Sequence, residues 1–296
     1  MRHSLRQQHT IAEPVCVAGY GYWSGLDVRV EFRPAPPDTG VVFVRSDLPE
    51  RCRIPAVVGQ RVEIPRRTTL AAGGAEVEMV EHVMATLAGL QIDNCEVWVD
   101  RPEMPGCDGS SLPFIAALSA TERVAQPALR ETLVVTRTTR VGSDRCWVEA
   151  SPEPDGTLRL YYELDYELDH DAQGPIGRQT LDLCLTPQTF CTELAGARTF
   201  ILQEEAEWLR QQGLGQRVTC HDLLVFDQQG PVGNTLRFPD ECVRHKTLDL
   251  VGDLALAGCD IQGRITAYRS GHRLNAQLVQ ELLLQERVGR CRCHVA

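Results

Sequence analysis

No two of the twelve cysteines show the C-x-x-C spacing of a zinc knuckle or a redox motif. Long apolar runs are also missing. None approaches the about 20 residues that span a membrane. Arg2, His3, Arg6 and the polar run at residues 7–10 interrupt the N-terminus before it could form a signal-peptide core. Positive charge is in deficit, with 30 Lys and Arg against 40 Asp and Glu and a net charge of −10. That balance excludes general nucleic-acid affinity, and an acidic substrate needs a local basic patch. No long stretch has the composition of disorder. At 43% hydrophobic and 24% charged residues, the 296-residue chain reads as one large globular domain or two modest ones. The expected compartment is the cytoplasm, with reduced and mostly buried thiols. Cys291-Arg292-Cys293-His294 reads as a frayed, reactive tail.

Periodicity divides the chain in two. Val28, Val30 and Phe32 alternate with charged residues and predict a strand, which resumes at 41–44 after a proline-rich turn. Between residues 78 and 90, Val80, Val83, Met84, Leu87 and Leu90 fall on one helical face. Cys95, Val97 and Val99 return to strand spacing. A turn at 102–110 and a short helix at 113–120 follow. Residues 120–131, polar and containing Pro127, are the expected linker. The second half repeats strands and then helices: strands at 133–137, 146–150, 158–164 and 180–185, helices at 187–194 and 203–212, and a strand at 223–226. A long helix at 240–257 precedes a last strand–helix pair, 264–269 and 275–286. The prediction is an α+β protein of two similar two-layer α/β sandwich domains, 1–122 and 130–296, with the site between them.

The long helix places Val243, Thr247, Leu250 and Leu254 on one face. His245, Asp249 and Asp253 stack at i, i+4 and i+8 on another. A His and an Asp one turn apart can share a metal. Taken alone, such a stripe reads as a solvated face. Glu81-His82 on the earlier helix and Ser270-Gly271-His272 after the last strand are weak signals singly. Together the fragments supply two imidazoles and a carboxylate for a metal, with one position left open. They also supply Glu81 as a base, His272 as a second acid–base group and Lys246 as a fixed charge. That set suits attack of water on an amide.

The motifs resemble those of a known family. Residues 80–90 with Ile92-Asp93-Asn94 resemble the first metal motif of the UDP-3-O-acyl-N-acetylglucosamine deacetylases of lipid A synthesis. Pro102-Glu103-Met104-Pro105 with Asp108-Gly109-Ser110 is similar to that family's turn motif. Ala197-Arg198-Thr199-Phe200 is similar to its substrate segment, residues 243–254 to its main zinc motif, and residues 267–275 to its final motif. The motifs run in family order over nearly the whole chain, and no fused second enzyme is expected after them. The resemblance implies a zinc-dependent deacetylase, with iron(II) also compatible. It implies His82, His245 and Asp249 as metal ligands and Glu81 as the base toward the attacking water. His272 would be the partner acid or oxyanion charge, and Asp253 would orient it. Thr199 would donate to the tetrahedral intermediate, Lys246 would meet a phosphate or carbonyl oxygen, and Phe200 would pack near the glucosamine or its acyl chain.

The chain departs from the family pattern outside the metal set. Ile201 replaces a glycine, Arg217-Val218-Thr219 replaces a glycine-rich segment, and Thr136-Arg137 stands where a lysine is usual. Residues 169–175 replace a Phe-x-His-Pro turn, and residues 19–25 read Gly-Tyr-Gly-Tyr-Trp-Ser-Gly. Two further readings therefore stand beside the first: the same hydrolytic centre acting on another N-acetylated sugar nucleotide, and a non-catalytic binding relative. The expected partner is the acylated sugar nucleotide, without nucleic acid or a transmembrane segment. Nothing in the sequence specifies an oligomer.

Overall fold

The computed structural model describes residues 2–167 and 174–293, and the side chains of 6–167 and 174–286. The tail cysteines' side chains and residues 168–173 of the departing second-half turn lie outside this range. The architecture is α+β, built from four sheets and six α-helices among the described residues.

Strand β1 (Arg2–Ile11) precedes β2 (Val15–Tyr20), β3 (Asp27–Pro34), β4 (Val41–Arg45) and β5 (Arg53–Pro55). A small antiparallel sheet of β6 (Arg61–Val62), β7 (Thr69–Ala72) and β8 (Ala75–Glu78) leads into helix α1 (Glu81–Gly89). Strand β9 (Cys95–Val99) then enters the middle of the first large sheet, whose order is β2-β3-β9-β4-β5. The alternation read from the sequence decides which face is buried. Val28, Val30, Phe32, Cys95, Val97 and Val99 all point into the core. Helix α2 (Leu112–Leu118) closes the first half.

The expected linker is a strand. Residues 123–131 open β10 (Arg123–Val134), which pairs antiparallel with β1 along nearly its whole length. Its polar composition reflects a half-exposed ribbon. Pro127 falls at the irregularity between the Gln7–Leu129 and His9–Ala125 pairs, where a missing N–H breaks no regular ladder bond. β1 was hidden in the sequence for the same reason, because its residues are mostly polar.

The second half contains β11 (Thr139–Ser143), β12 (Cys146–Ser151), β13 (Leu158–Asp165) and β14 (Arg178–Cys184). Short α3 (Pro187–Thr189) runs into a π turn at Phe190–Leu194. Strand β15 (Phe200–Leu202), helix α4 (Gln203–Gln211), β16 (Leu224–Asp227) and β17 (Gly230–Pro231) form a small separate layer. Helix α5 (Glu241–Ala255), β18 (Asp260–Tyr268) and α6 (His272–Cys293) complete the chain. β18 is the centre of the seven-stranded sheet, antiparallel to β12 and parallel to β10 and β13. Helix α5 lies against β13 and β14, and α6 against β11 and β12. Among the described residues, no helix is long and apolar enough to cross a membrane.

Helices α1 and α5 are buried on nearly every side. A helix in that position must be apolar all round or pair every polar group it carries. Val83, Leu87, Leu248 and Leu250 satisfy the first condition. Glu81, His82, Glu241, His245, Asp249 and Asp253 are the ionisable exceptions that need partners.

Candidate metal centre and active site

Helix α1 crosses α5 at Gly252. A Cβ built there would sit 2.1 Å from the Glu81 carbonyl oxygen, so only glycine allows this approach. The crossing brings His82 opposite His245 and Asp249. Both histidine Nε2 atoms face one oxygen of Asp249, with Oδ1 3.6 Å from His82 and 3.5 Å from His245. The two rings meet edge to face with centroids 5.0 Å apart. One ligand atom from each of the three residues lies within 4.8 Å of the others, and all three residues are buried. The polar stripe on α5 is thus not a solvated face. It is turned inward because α1 covers it, and a period cannot reveal what a face packs against.

The protonation states suit a cation held by these atoms. His245 Nδ1 lies 3.2 Å from the Ala197 carbonyl, which places the ring proton there and leaves the Nε2 lone pair toward the cluster. Burial pushes the His245 imidazolium down to about 3, so the ring is neutral. Burial works against ionised Asp249, but the Lys246 ammonium together with the neighbouring His245, His82 and His272 outweighs it and holds the carboxyl well below its usual range. Lys246 Nζ donates to Asp249 Oδ2 at 2.6 Å, on the oxygen away from the imidazoles. The carboxylate is therefore shared between an ammonium on Oδ2 and the cluster on Oδ1. Lys246→Met leaves that buried charge unpaired unless a metal neutralises it. The expected loss of unfolding free energy is about 3 kcal/mol in chelator and smaller with zinc, read by urea denaturation. Equal losses in both conditions would refute this sharing.

Glu81 and His272 lie beside the cluster. Burial raises the Glu81 carboxyl above its ordinary value. Its Oε2 accepts the Thr68 backbone N–H at 3.0 Å, and its Oε1 lies 4.0 Å from His272 Nε2. His272 begins α6. Burial disfavours its imidazolium, but the charge and hydrogen bond of Asp253 outweigh burial and raise it to about 9. His272 Nδ1 is 2.9 Å from Asp253 Oδ2, which also accepts from Asn275 Nδ2 at 2.8 Å. Asp253 Oδ1 accepts from the Thr68 hydroxyl at 2.6 Å. Both segments enter the site from a non-glycine residue with positive φ, Met79 at 59° and Arg269 at 49°. Such strain recurs where backbone direction is dictated by a site.

A cavity of about 710 Å³ opens over these groups. Thr199 and Phe200 line it. Thr199 is fixed by the 102–110 turn: its N–H and hydroxyl both donate to the Gly109 carbonyl, at 2.8 and 3.2 Å. Gly109 itself needs φ +80°. The Phe200 ring stands edge-on to His245, centroids 6.2 Å apart. Ile64, Ile201, Ala206, Leu209, Leu214 and Val225 supply apolar lining, while Arg61, Arg66, Arg210, Lys246, Arg269 and Arg273 contribute positive charge. Of the departing residues, Tyr22, Trp23, Ile201, Val218 and Thr219 line the cavity. Arg217 turns away, stacking 4.1 Å over Tyr20 and pairing with Asp27. Arg137 lies beyond β10 and bonds Gln285. Residues 19–25 are held by Glu103, which accepts the N–H groups of Trp23 and Ser24.

The structure gives roles to residues to which the sequence assigned none. Arg198 is an internal brace, because its guanidinium grips fully buried Glu241 and carries the Thr199 segment onto the start of α5. Thr68 had no signal at all, since a threonine before a strand is an ordinary β residue. Asn275 had one: it stands three residues after His272, within reach of the same partner on one helical turn.

A buried His–His–Asp set beside a carboxylate and a second imidazole is the arrangement of a hydrolytic metal centre. The UDP-3-O-acyl N-acetylglycosamine deacetylase family model matches residues 8–284. A UDP-3-O-acyl-N-acetylglucosamine deacetylase of Myxococcus xanthus (strain DK1622) is 39% identical over 285 residues, covering 96% of this chain and 88% of that protein. Proteins of the same name from Brucella ovis and Brucella canis are 39% identical over 281 residues, covering 94% of this chain and 96% of theirs. The chain belongs to the UDP-3-O-acyl-N-acetylglucosamine deacetylase family.

Proposed function

We propose that this chain hydrolyses the N-acetyl group of UDP-3-O-acyl-N-acetylglucosamine, giving acetate and the free amine, in lipid A biosynthesis. The observation that carries the reading is the convergence of His82, His245 and Asp249 within 4.8 Å, with Glu81 and His272 at their side. The donor set fits zinc, and iron(II) is compatible with the same atoms. When bound, the metal supplies a Lewis acid for the amide carbonyl. Glu81 Oε1 takes a proton from the attacking water while the Thr68 N–H holds Oε2 in place. His272, oriented by Asp253, delivers its Nε2 proton to the amide nitrogen as the C–N bond breaks. The Thr199 hydroxyl, on turning from the Gly109 carbonyl, and Lys246 face the negative charge that develops on oxygen. The apolar lining suits the acyl chain, Phe200 packs against the sugar or its acyl group, and the lining arginines supply the positive charge that a nucleotide needs. Free cysteines at all ten described positions agree with a cytoplasmic setting.

The test is acetate release from the acylated nucleotide by purified protein carrying one metal equivalent by elemental analysis. Metal-loaded protein that leaves the substrate intact at every acyl length would overturn the reading. The cavity wall favours one other reading, because Ile201, Val218 and Thr219, which depart from the family pattern, line it. A panel of N-acetylated sugar nucleotides decides between the two. Turnover of a nucleotide without the 3-O-acyl chain supports the second.

The acid–base assignment fixes the pH profile. Glu81 must be ionised to accept a proton, so kcat/KM rises as pH passes its raised pKa, above 4.5. His272 must carry its proton, so kcat/KM falls as pH passes about 9. His272→Ala is expected to lose the alkaline limb. Retention of both limbs would refute the role.

A further inference from the structure

We propose that Thr68 is a positioning residue that sets the spacing between the base Glu81 and the acid His272. The inference rests on the deacetylase reading of the site. Thr68 is 1% exposed and stays behind the side chains that line the cavity. It bonds three parts of the machinery at once. Its carbonyl accepts the N–H of Val80, the residue that precedes α1, at 3.3 Å. Its N–H donates to Glu81 Oε2, leaving Oε1 to face His272. Its hydroxyl donates to Asp253 Oδ1 at 2.6 Å.

Asp253 is fully buried, and its two oxygens have different neighbours. Oδ2 is shared by His272 Nδ1 and Asn275 Nδ2. Among the bonds described, Oδ1 has the Thr68 hydroxyl as its donor. A carboxylate pinned at one oxygen alone can turn about its Cβ–Cγ bond. Pinned at both, it cannot, and the plane of the His272 ring follows. One residue thus holds the base by its main chain and the acid's partner by its side chain. The two are on different helices, α1 and α5, so Thr68 ties their catalytic ends together through the small β6–β8 sheet.

Substitution separates the two arms. Thr68→Val keeps the shape and the N–H to Glu81 but removes the donor to Asp253. Thr68→Ser restores the donor. The expected result for Thr68→Val is a kcat about 10- to 100-fold lower with KM little changed, the size typical of losing a partner behind a site residue. Thr68→Ser is expected to return to within a few-fold of the parent. A second readout is independent of turnover. In metal-free protein the His272 ring N–H held by Asp253 is expected as a slowly exchanging downfield proton resonance. It should persist with Ser and broaden away with Val. If the Val variant does not fold, Thr68→Cys, a weak donor of similar size, is expected to fall between Ser and a full loss. Parent-like kcat in Thr68→Val, equal impairment of Ser and Val, or an unchanged ring proton in Val would each overturn the inference. If the parent itself releases no acetate, the deacetylase reading falls, while the ring proton still tests what Thr68 positions.

Discussion

Asp249→Ala is expected to bring metal content from one equivalent to near zero and to lower kcat/KM by on the order of 10³-fold, equivalent to about 4 kcal/mol of lost transition-state stabilisation. Asp249 is the residue both imidazoles face, through Oδ1 at 3.5 and 3.6 Å. It is also the single negative charge among the three proposed ligands. Without it a divalent cation would meet two neutral rings in a buried space beside the Lys246 ammonium, now released from its partner. That repulsion adds to the lost bond. The melting temperature should fall too, because the partly buried Lys246 ammonium is left without its carboxylate. Asp249→Asn keeps one oxygen but not the charge, and its metal affinity is expected to lie between the two. Elemental analysis on the folded fraction and calorimetric metal titration measure both variants. Full metal occupancy in Asp249→Ala would show that the three-residue set is not the metal site.

What the sequence revealed depended on whether a local pattern determined the outcome. β3, β9 and α1 were legible, because alternation or a 3.6-residue period in Val28–Phe32, Cys95–Val99 and Val80–Leu87 states directly which side is buried. β1 and the first part of β10 were not. They are a mostly polar ribbon whose stability comes from pairing over more than a hundred residues of sequence, and composition carries no trace of that pairing. The site divided in the same way. Spacing put His245, Asp249 and Asp253 on one face but could not say that α1 lies across it. The long motifs around these residues removed the ambiguity that periodicity left. Thr68 stayed invisible because its contribution is one hydroxyl and one N–H, aimed at residues 13 and 185 positions away.

The α1–α5 crossing yields the second large effect, and here two principles predict opposite signs. Gly252 is mid-helix, and helix propensity alone makes Gly252→Ala stabilising by about 1 kcal/mol. The packing says otherwise. The added Cβ would lie 2.1 Å from the Glu81 oxygen, 2.9 Å from its carbonyl carbon and 3.1 Å from its Cα. These are backbone atoms, so no rotamer change relieves the contact and α1 must retreat as a unit. The neighbours cannot absorb such a shift, since Val83 and Leu87 of α1 and Leu248 and Val251 of α5 are buried in the packed core. Overpacking of this kind costs about 3 kcal/mol and wins over propensity. The same retreat carries Glu81 and His82 away from His245 and Asp249, so metal affinity should fall alongside stability although no ligand is changed. Urea unfolding and metal titration of Gly252→Ala test both halves. A gain in stability with unchanged metal affinity would mean that the two helices do not meet as closely as their catalytic side chains require.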